Sequence, residues 1–198
     1  MTIALVEDDA AILRSLGILL ESRGLKVRGY PSAEQFMSAL EQEPVQCVVT
    51  DIRMPGMTGL ELQKELKRRD PAIPVILITG HGDVRMAVRA LKEGAFDFIE
   101  KPFDDDQLLE SISMALERQQ RLRVEQDERA AVQARVSELS PRQVQVMHLV
   151  AEGFSNKEIA LKMDISPRTV ENYRAWVMEK MGATNLAGLV RKVLALGP

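Results

Sequence analysis

Several short apolar runs in the first part of the chain end in polar residues that suit phosphoryl chemistry. Glu7 and Asp8 follow the run IALV, and Asp51 follows CVVT. Further along, Thr79 closes the run VILIT and Lys101 follows FDFIE. Neighbouring carboxylates stay ionised together only beside a cation, and their hard oxygens suit Mg²⁺. An Asp carboxylate beside Mg²⁺ is a nucleophile toward a phosphoryl group, whose oxygens can accept hydrogen bonds from a threonine hydroxyl and a lysine ammonium.

These residues converge only if the apolar runs are strands of one sheet. Five runs, several of them rich in Val and Ile, alternate with stretches of helical apolar spacing, which predicts a doubly wound five-stranded parallel sheet. With strand order 2-1-3-4-5, the first and third strands are neighbours, so Asp51 lies close to Glu7 and Asp8. The predicted strands are 3–6, 26–30, 47–50, 75–79 and 96–99, and the predicted helices are 9–21, 32–41, 60–69 and 84–93, with a fifth helix starting near 104.

The chain after about residue 138 has no strand signal and predicts an all-α domain of four short helices. Helix-start signals at Ser140-Pro141, Ser155/Glu158 and Ser166-Pro167 place three of them. The second and third, with a short turn between them, have the layout of a helix-turn-helix at about 155–174. The predicted helices are 141–152, 156–163, 167–181 and 185–196.

A helical linker is predicted between the two domains. We place the α/β domain at 1–118, the linker at 119–137 and the all-α domain at 138–198. No Gly or Pro occurs from Phe103 to Ser140, so the fifth helix can continue into the linker. The apolar stripe thins after Leu122, which indicates a solvated helix. A dimerising coiled coil is the alternative for the same segment.

Composition narrows the class of protein. Residues 1–117 carry 13 Lys and Arg against 20 Asp and Glu, whereas residues 118–198 carry 13 against 9. An acidic part joined to a basic part favours a cation-binding or phosphate-handling module coupled to a nucleic-acid-binding one. Cys47 is the single cysteine, which excludes an internal disulfide and a Cys-based zinc site. With no signal peptide and no membrane-length apolar run, we expect a cytoplasmic protein without membrane contact.

Four motifs give the first part a resemblance to a known family. VEDD, DIRMPGMTG, TGHGD and GAFDFIEKPF are similar to the receiver domain of bacterial two-component response regulators, over about residues 1–118. The resemblance implies that Asp51 is the phosphoacceptor, that Asp8, Asp51 and the main-chain carbonyl of Arg53 ligate Mg²⁺, and that Glu7 holds a metal-bound water. Asp9 follows this pair of acids and ranks lower as a ligand.

The resemblance also implies a switch. Thr79 and Phe98 would be the coupled switch residues, and Lys101 would precede a cis peptide at Pro102.

An aspartyl-phosphate phosphatase of the haloacid dehalogenase type is the enzyme alternative, because it also uses an Asp at a strand end. That family has a second Asp two residues on, where this chain has Arg53. We therefore expect a protein that is not an enzyme.

The helix predicted from Pro167 divides into two faces. At about 100° per residue, Val170, Val177 and Met181 fall on the core side, flanked by Tyr173 and Arg174. The opposite face is free to enter a major groove and carries Arg168, Glu171, Asn172, Ala175 and Glu179.

The stretch from Leu139 to Met181 resembles the LuxR/NarL type of four-helix DNA-binding domain. The resemblance implies that bases are contacted by Glu171, Asn172 and Ala175, and it favours as phosphate contacts Lys157, Arg168, Thr169, Tyr173 and Lys180. This sequence departs from the wider family at Glu171, Tyr173 and Trp176, which leaves the operator sequence open.

Both halves together resemble the FixJ subgroup of response regulators. The expected function is transcription regulation: a sensor histidine kinase phosphorylates Asp51, the protein forms a homodimer, and the dimer binds double-stranded DNA and acts with RNA polymerase. The helix-turn-helix face is poor in positive charge, so one copy should bind DNA weakly. The alternative function is that of a phosphoryl sink or protein-interaction regulator that does not act through DNA.

Overall fold

A computed structural model describes residues 1–80 and 84–197, so that His81, Gly82 and Asp83 of the TGHGD motif lie outside the described residues. The chain divides into two compact units, Met1–Arg123 and Val124–Pro198. Over the described residues, no helix has the length and apolar character needed to cross a membrane.

The first unit is built on the predicted five-stranded parallel sheet. Its strands are β1 Thr2–Val6, β2 Lys26–Tyr30, β3 Cys47–Asp51, β4 Val75–Thr79 and β5 Asp97–Glu100. The strand order is β2-β1-β3-β4-β5, as predicted, and every pairing is parallel. β3 and β4 are buried on both faces, which explains why their sequences are continuous apolar runs rather than alternating ones.

Helices cover both faces of this sheet. They are α1 Ala10–Ser22, α2 Ala33–Ala39, α3 Gly59–Arg69, α4 Val84–Glu93 and α5 Asp105–Ser137. One hydrophobic core, centred on Phe36, Leu62 and Leu77, lies on the face of α2, α3 and α4. The other, containing Leu20 and Ile112, lies on the face of α1 and α5. The doubly wound architecture is therefore confirmed, with element limits that differ from the predicted ones by a few residues.

The second unit contains the four predicted helices. They are α6 Pro141–Ala151, α7 Asn156–Met163, α8 Pro167–Lys180 and α9 Leu186–Ala195. The hydroxyls of Ser140 and Ser155 accept hydrogen bonds from Gln143 N–H and Glu158 N–H in reciprocal capping boxes. Asp164 ends α7 in a left-handed conformation with φ 52°, which starts the turn of the helix-turn-helix.

The last part of α5 is less solvated than the sequence interpretation predicts. Most residues of 124–137 are exposed, but Val132 is buried in the core of the second unit. Arg129 donates to the carbonyl of Leu196 at 2.7 Å, and Arg135 donates to that of Met181 at 2.8 Å. These arginines satisfy carbonyls at the C-terminal ends of α9 and α8, so this segment contributes to the second unit. The domain boundaries given above, with the α/β domain ending at 118, the linker ending at 137 and the all-α domain starting at 138, remain predictions.

Candidate functional site

The carboxyl edge of the sheet brings together residues from three strands. Asp51 is the last residue of β3, while Glu7 and Lys101 each come one residue after the end of β1 and β5. The parallel register aligns Val6 with Thr50 and Thr79 with Glu100, so these strands end at the same level. The convergence predicted from the strand order is therefore present for Glu7 and Asp51.

Lys101 joins the two carboxylates. Its Nζ donates to Glu7 Oε2 at 2.8 Å and to Asp51 Oδ1 at 2.9 Å. Glu7 and Asp51 are only 6% and 9% exposed, and the side chain of Lys101 is 21% exposed. An ammonium group shared by two nearly buried carboxylates compensates their mutual repulsion.

Burial and pairing act in opposite directions on these groups. Burial raises the pKa of Glu7, although the hydrogen bond from Lys101 partly offsets the shift. Burial by itself would lower the pKa of Lys101, but its hydrogen bonds to Glu7 and Asp51 outweigh burial and raise the pKa. Lys101 is therefore held as an ammonium cation at the site.

Of the two switch residues predicted from the resemblance, Thr79 contacts this cluster, whereas Phe98 packs against the hydrophobic core. Thr79 is buried at the end of β4, and its carbonyl accepts a 2.7 Å hydrogen bond from Lys101 N–H. Phe98 in β5 is half-buried and packs against the core on the α4 face. The peptide bond between Lys101 and Pro102 is cis, as predicted. A main-chain hydrogen bond thus links Thr79, at the end of β4, to Lys101, whose side chain carries the ammonium group.

The loop after Asp51 is fixed by contacts that the sequence interpretation missed. Arg53 N–H donates to Asp51 Oδ2 at 2.6 Å, while Glu34 of α2 accepts from Met57 N–H at 2.7 Å. A Cβ added to Gly59 would lie 2.2 Å from the carbonyl oxygen of Asp51, so only glycine fits there. The motif DIRMPGMTG contains Gly59, but the partner Glu34 lies 23 residues from Met57 and has no sequence signal.

The other predicted metal ligands have different surroundings. Asp8 and Arg53 are exposed. Asp9 caps α1, since its Oδ1 accepts from Ala11 N–H at 2.7 Å and Ile12 N–H at 3.2 Å. This capping task accounts for Asp9 without a metal.

The donor chemistry at this edge fits Mg²⁺. Glu7 and Asp51 supply hard carboxylate oxygens, and Asp8 adds another beside them in the sequence. Within residues 1–80 and 84–197, no group of three or more His, Cys, Asp or Glu is gathered closely enough to hold a metal ion. The ammonium group of Lys101 is the cation that contacts Glu7 and Asp51 in this conformation.

In the second unit, α8 shows the two predicted faces. Val170, Val177 and Met181 are fully buried. The residues predicted to enter a groove are all exposed: Arg168, Glu171, Asn172, Ala175 and Glu179. Arg174 on the flank donates to Asn156 Oδ1 at 3.0 Å, which ties α8 to α7.

The predicted phosphate contacts differ in their surroundings. Lys157 and Arg168 are exposed, whereas Thr169 and Tyr173 are half-buried. Lys180 Nζ donates to the carbonyl of Glu138 at 2.7 Å, so this ammonium group already has a partner within the second unit. All three cations of the predicted set are exposed, and the hydrogen bond of Lys180 to Glu138 favours Lys157 and Arg168 as the phosphate contacts.

A sheet-edge acid cluster on a doubly wound domain, followed by a helix-turn-helix unit, defines the class of response regulators. Comparison with protein families agrees: residues 3–113 match the response regulator receiver domain, and residues 137–193 match the bacterial regulatory proteins of the luxR family. The chain belongs to the FixJ-like response regulators, which combine these two domains and regulate transcription in a phosphorylation-dependent manner.

Full-length relatives support this assignment. The transcriptional regulatory protein FixJ of Bradyrhizobium diazoefficiens is 46% identical over 98% of this chain and 95% of its own length. FixJ of Azorhizobium caulinodans is 46% identical over 100% of this chain and 93% of its own length. Among solved structures, the response regulator StyR superposes with a TM-score of 0.85 at 37% identity, covering 98% of both chains. Full-length FixJ from B. japonicum gives 0.61 at 45% identity, covering 99% and 97% of the two chains.

Proposed function

We propose that Asp51 is the phosphoacceptor and that a sensor histidine kinase is its phosphoryl donor. The observation that supports this assignment is the Lys101 ammonium group held 2.9 Å from the Asp51 carboxylate. In the transfer, a carboxylate oxygen forms an O–P bond while the N–P bond of a phosphohistidine breaks. The leaving imidazole keeps the electron pair and takes up a proton. Lys101 then donates a charge-assisted hydrogen bond to the new phosphoryl group.

We propose Mg²⁺ as the cofactor at the same edge of the sheet. Asp8, Asp51 and the main-chain carbonyl of Arg53 would ligate it, and Glu7 would hold a water beside it. Once bound, the ion would neutralise the charge that accumulates as the phosphoryl group arrives. Asp9 is a weaker candidate, because the structure uses it as a helix cap.

We infer that Thr79 and Phe98 transmit phosphorylation to the surface. Thr79 would move toward the phosphoryl oxygens and the Phe98 ring would turn inward, which changes the exposed surface around α4 and β5. The altered surface would then favour a homodimer. Because Thr79 and Lys101 share a main-chain hydrogen bond, a movement of Thr79 at the end of β4 would also displace Lys101 after the end of β5.

The homodimer would place two copies of α8 on DNA in the cytoplasm, with RNA polymerase as the further partner. Glu171, Asn172 and Ala175 would contact bases, since they lie on the exposed face of α8. The proposed phosphate contacts are Lys157, Arg168, Thr169, Tyr173 and Lys180. A groove face with Glu171 and Glu179 is weakly cationic, so dimerisation supplies affinity through a second, tethered contact.

Intact-mass measurement tests the phosphoacceptor assignment. Acetyl phosphate with Mg²⁺ should add one phosphoryl group to the parent chain, and chelation of the metal should prevent the addition. Asp51→Asn should not be labelled, whereas Asp105→Asn, at an exposed position in α5, should be labelled like the parent. Equal labelling of Asp51→Asn and the parent would contradict the assignment.

Light scattering after phosphorylation tests the switch. Thr79→Ala should be phosphorylated at Asp51 like the parent and yet lose most of the change in oligomeric state. If this variant dimerises as the parent does, Thr79 is not part of the coupling.

A further inference from the structure

Trp176 lies on α8 beside the face proposed to enter the major groove. It is the single tryptophan of the chain, and 49% of its surface is exposed. Tryptophan has a large apolar ring and one N–H donor, and it is enriched at interfaces where one side is apolar and the other is wet. Nothing assigned so far uses this ring.

The position of Trp176 follows from helical geometry. Four residues separate it from Asn172, so the two side chains point about 40° apart around α8. Thr169 lies seven residues before Trp176 and therefore close to the same direction. Trp176 therefore lies at the border between the groove face and the flank of α8, next to the predicted base contact Asn172 and the predicted phosphate contact Thr169.

Tyr173 orients the indole ring. The two rings meet edge to face, with centroids 5.8 Å apart and an interplanar angle of 71°. Tyr173 itself is half-buried and packs against the core of the second unit. Because this contact restricts the ring, little side-chain entropy remains to be lost on binding.

We propose that Trp176 is a DNA-positioning residue, whose indole packs on the sugar–phosphate backbone at the groove edge and whose Nε1–H donates to a phosphate oxygen. An indole N–H is a donor only and matches an acceptor-only phosphate. Glu171 and Glu179 reduce the positive charge of α8, so a neutral donor such as the indole would add a backbone contact beside the cations Lys157 and Arg168. Contacts to phosphate fix register without reading sequence. This proposal rests on DNA binding through α8.

Intrinsic fluorescence tests the proposal directly, since all tryptophan emission comes from position 176. The phosphorylated full-length chain is titrated with a fluorescently labelled duplex selected from a random pool and with a scrambled duplex of the same length. The label reports binding independently of the tryptophan. Acrylamide quenching of Trp176 should fall by about twofold or more on each duplex, because the 49% of its surface that is exposed becomes covered at the interface. Binding reported by the label without a change in quenching would overturn the proposal.

Two variants separate positioning from base reading. Trp176→Ala should weaken binding to both duplexes about tenfold, the effect of losing one hydrogen bond to a charged group together with ring packing. Trp176→Phe keeps a ring without the N–H and should lie between Ala and the parent. A loss confined to the selected duplex would overturn the proposal, since it would show that the ring reads bases.

Leu194→Ala is the matched control. Leu194 is 74% exposed in α9, outside the helix-turn-helix, so its truncation removes apolar surface from the same unit without touching α8. Its affinity for both duplexes should equal that of the parent. If Trp176→Phe and Trp176→Ala bind both duplexes with the same affinity as Leu194→Ala, Trp176 has no role in DNA binding and the proposal is overturned.

Discussion

Replacing Lys101 by Met should destabilise the first unit, because the change keeps the length of the side chain and removes the charge shared by Glu7 and Asp51. Loss of one partner from a buried ion pair costs about 3–5 kcal/mol. The Lys101 side chain is 21% exposed, and solvent screening reduces such values. We therefore expect a loss of about 2–4 kcal/mol in the free energy of unfolding at neutral pH, without Mg²⁺.

Hydrogen exchange of the β1 and β3 amides is the suitable assay. Tryptophan fluorescence would report only the second unit, which contains Trp176, whereas the exchange of these strands reports opening of the first. Lys92→Met is the control, because Lys92 is exposed on α4 and surface charges contribute little.

A double-mutant cycle identifies the cause of the loss. In an Asp51→Asn background, only one charged partner of Lys101 remains, so Lys101→Met should cost about 1–2 kcal/mol less than in the parent. The reasoning would be refuted by an equal cost in both backgrounds, since charge compensation would then not be what Lys101 provides. A cost matching that of Lys92→Met would refute it as well.

Three further predictions concern other parts of the chain. Gly59→Ala should lower the free energy of unfolding by about 2 kcal/mol and slow phosphorylation, because the new Cβ meets the Asp51 carbonyl in the β3–α3 loop. In the same chemical unfolding series, the control Gly17→Ala should be neutral or stabilising, because its Cβ enters open space on α1. Burial raises the pKa of the Cys47 thiol to about 12, so a disulfide reagent at pH 8 should modify it only on unfolding. The thiol is neutral in both states below its ordinary pKa, and the free energy of unfolding should fall as the pH rises above that value toward 12, because only the unfolded thiol then ionises. In DNA titrations across a salt series, Asn172→Ala should cost about 1–3 kcal/mol of binding free energy at one operator position. Lys157→Ala should instead lower the affinity for all sequences and reduce the slope of log affinity against log salt by about one. Equal losses on operator and scrambled DNA for Asn172→Ala would show that this residue does not read bases.

Local signals in the sequence were enough to predict the architecture. β3 and β4 are continuous apolar runs because both of their faces are covered, and Ser140, Ser155 and Ser166 mark helix starts because each caps the N–H three residues on. The predicted convergence of Glu7 and Asp51 followed from strand order alone, since parallel strands end at one edge of a sheet.

Contacts between distant side chains and main-chain atoms could not be predicted in the same way. Glu34 holds the loop after Asp51 across 23 residues, and Arg135 holds the end of α8 across 46 residues. Neither contact leaves a periodic pattern, because one side chain meets one backbone group at a place that only the packed chain defines. Val132 was likewise missed, since a single buried residue among exposed neighbours makes no helical stripe.

The difference between what strand order fixes and what side-chain contacts decide also explains how the proposed phosphorylation site would act as a switch. Strand order fixes where Glu7, Asp51 and Lys101 lie, but the partners of the Lys101 ammonium group depend on the charges present. In the described conformation this group is divided between two carboxylates, at 2.8 and 2.9 Å. A phosphoryl group on Asp51 brings additional negative charge and several acceptor oxygens, so Lys101 would shift its hydrogen bonds toward them. Because Lys101 N–H is bonded to the Thr79 carbonyl, that shift acts on the end of β4, the strand end from which the change in surface is proposed to start.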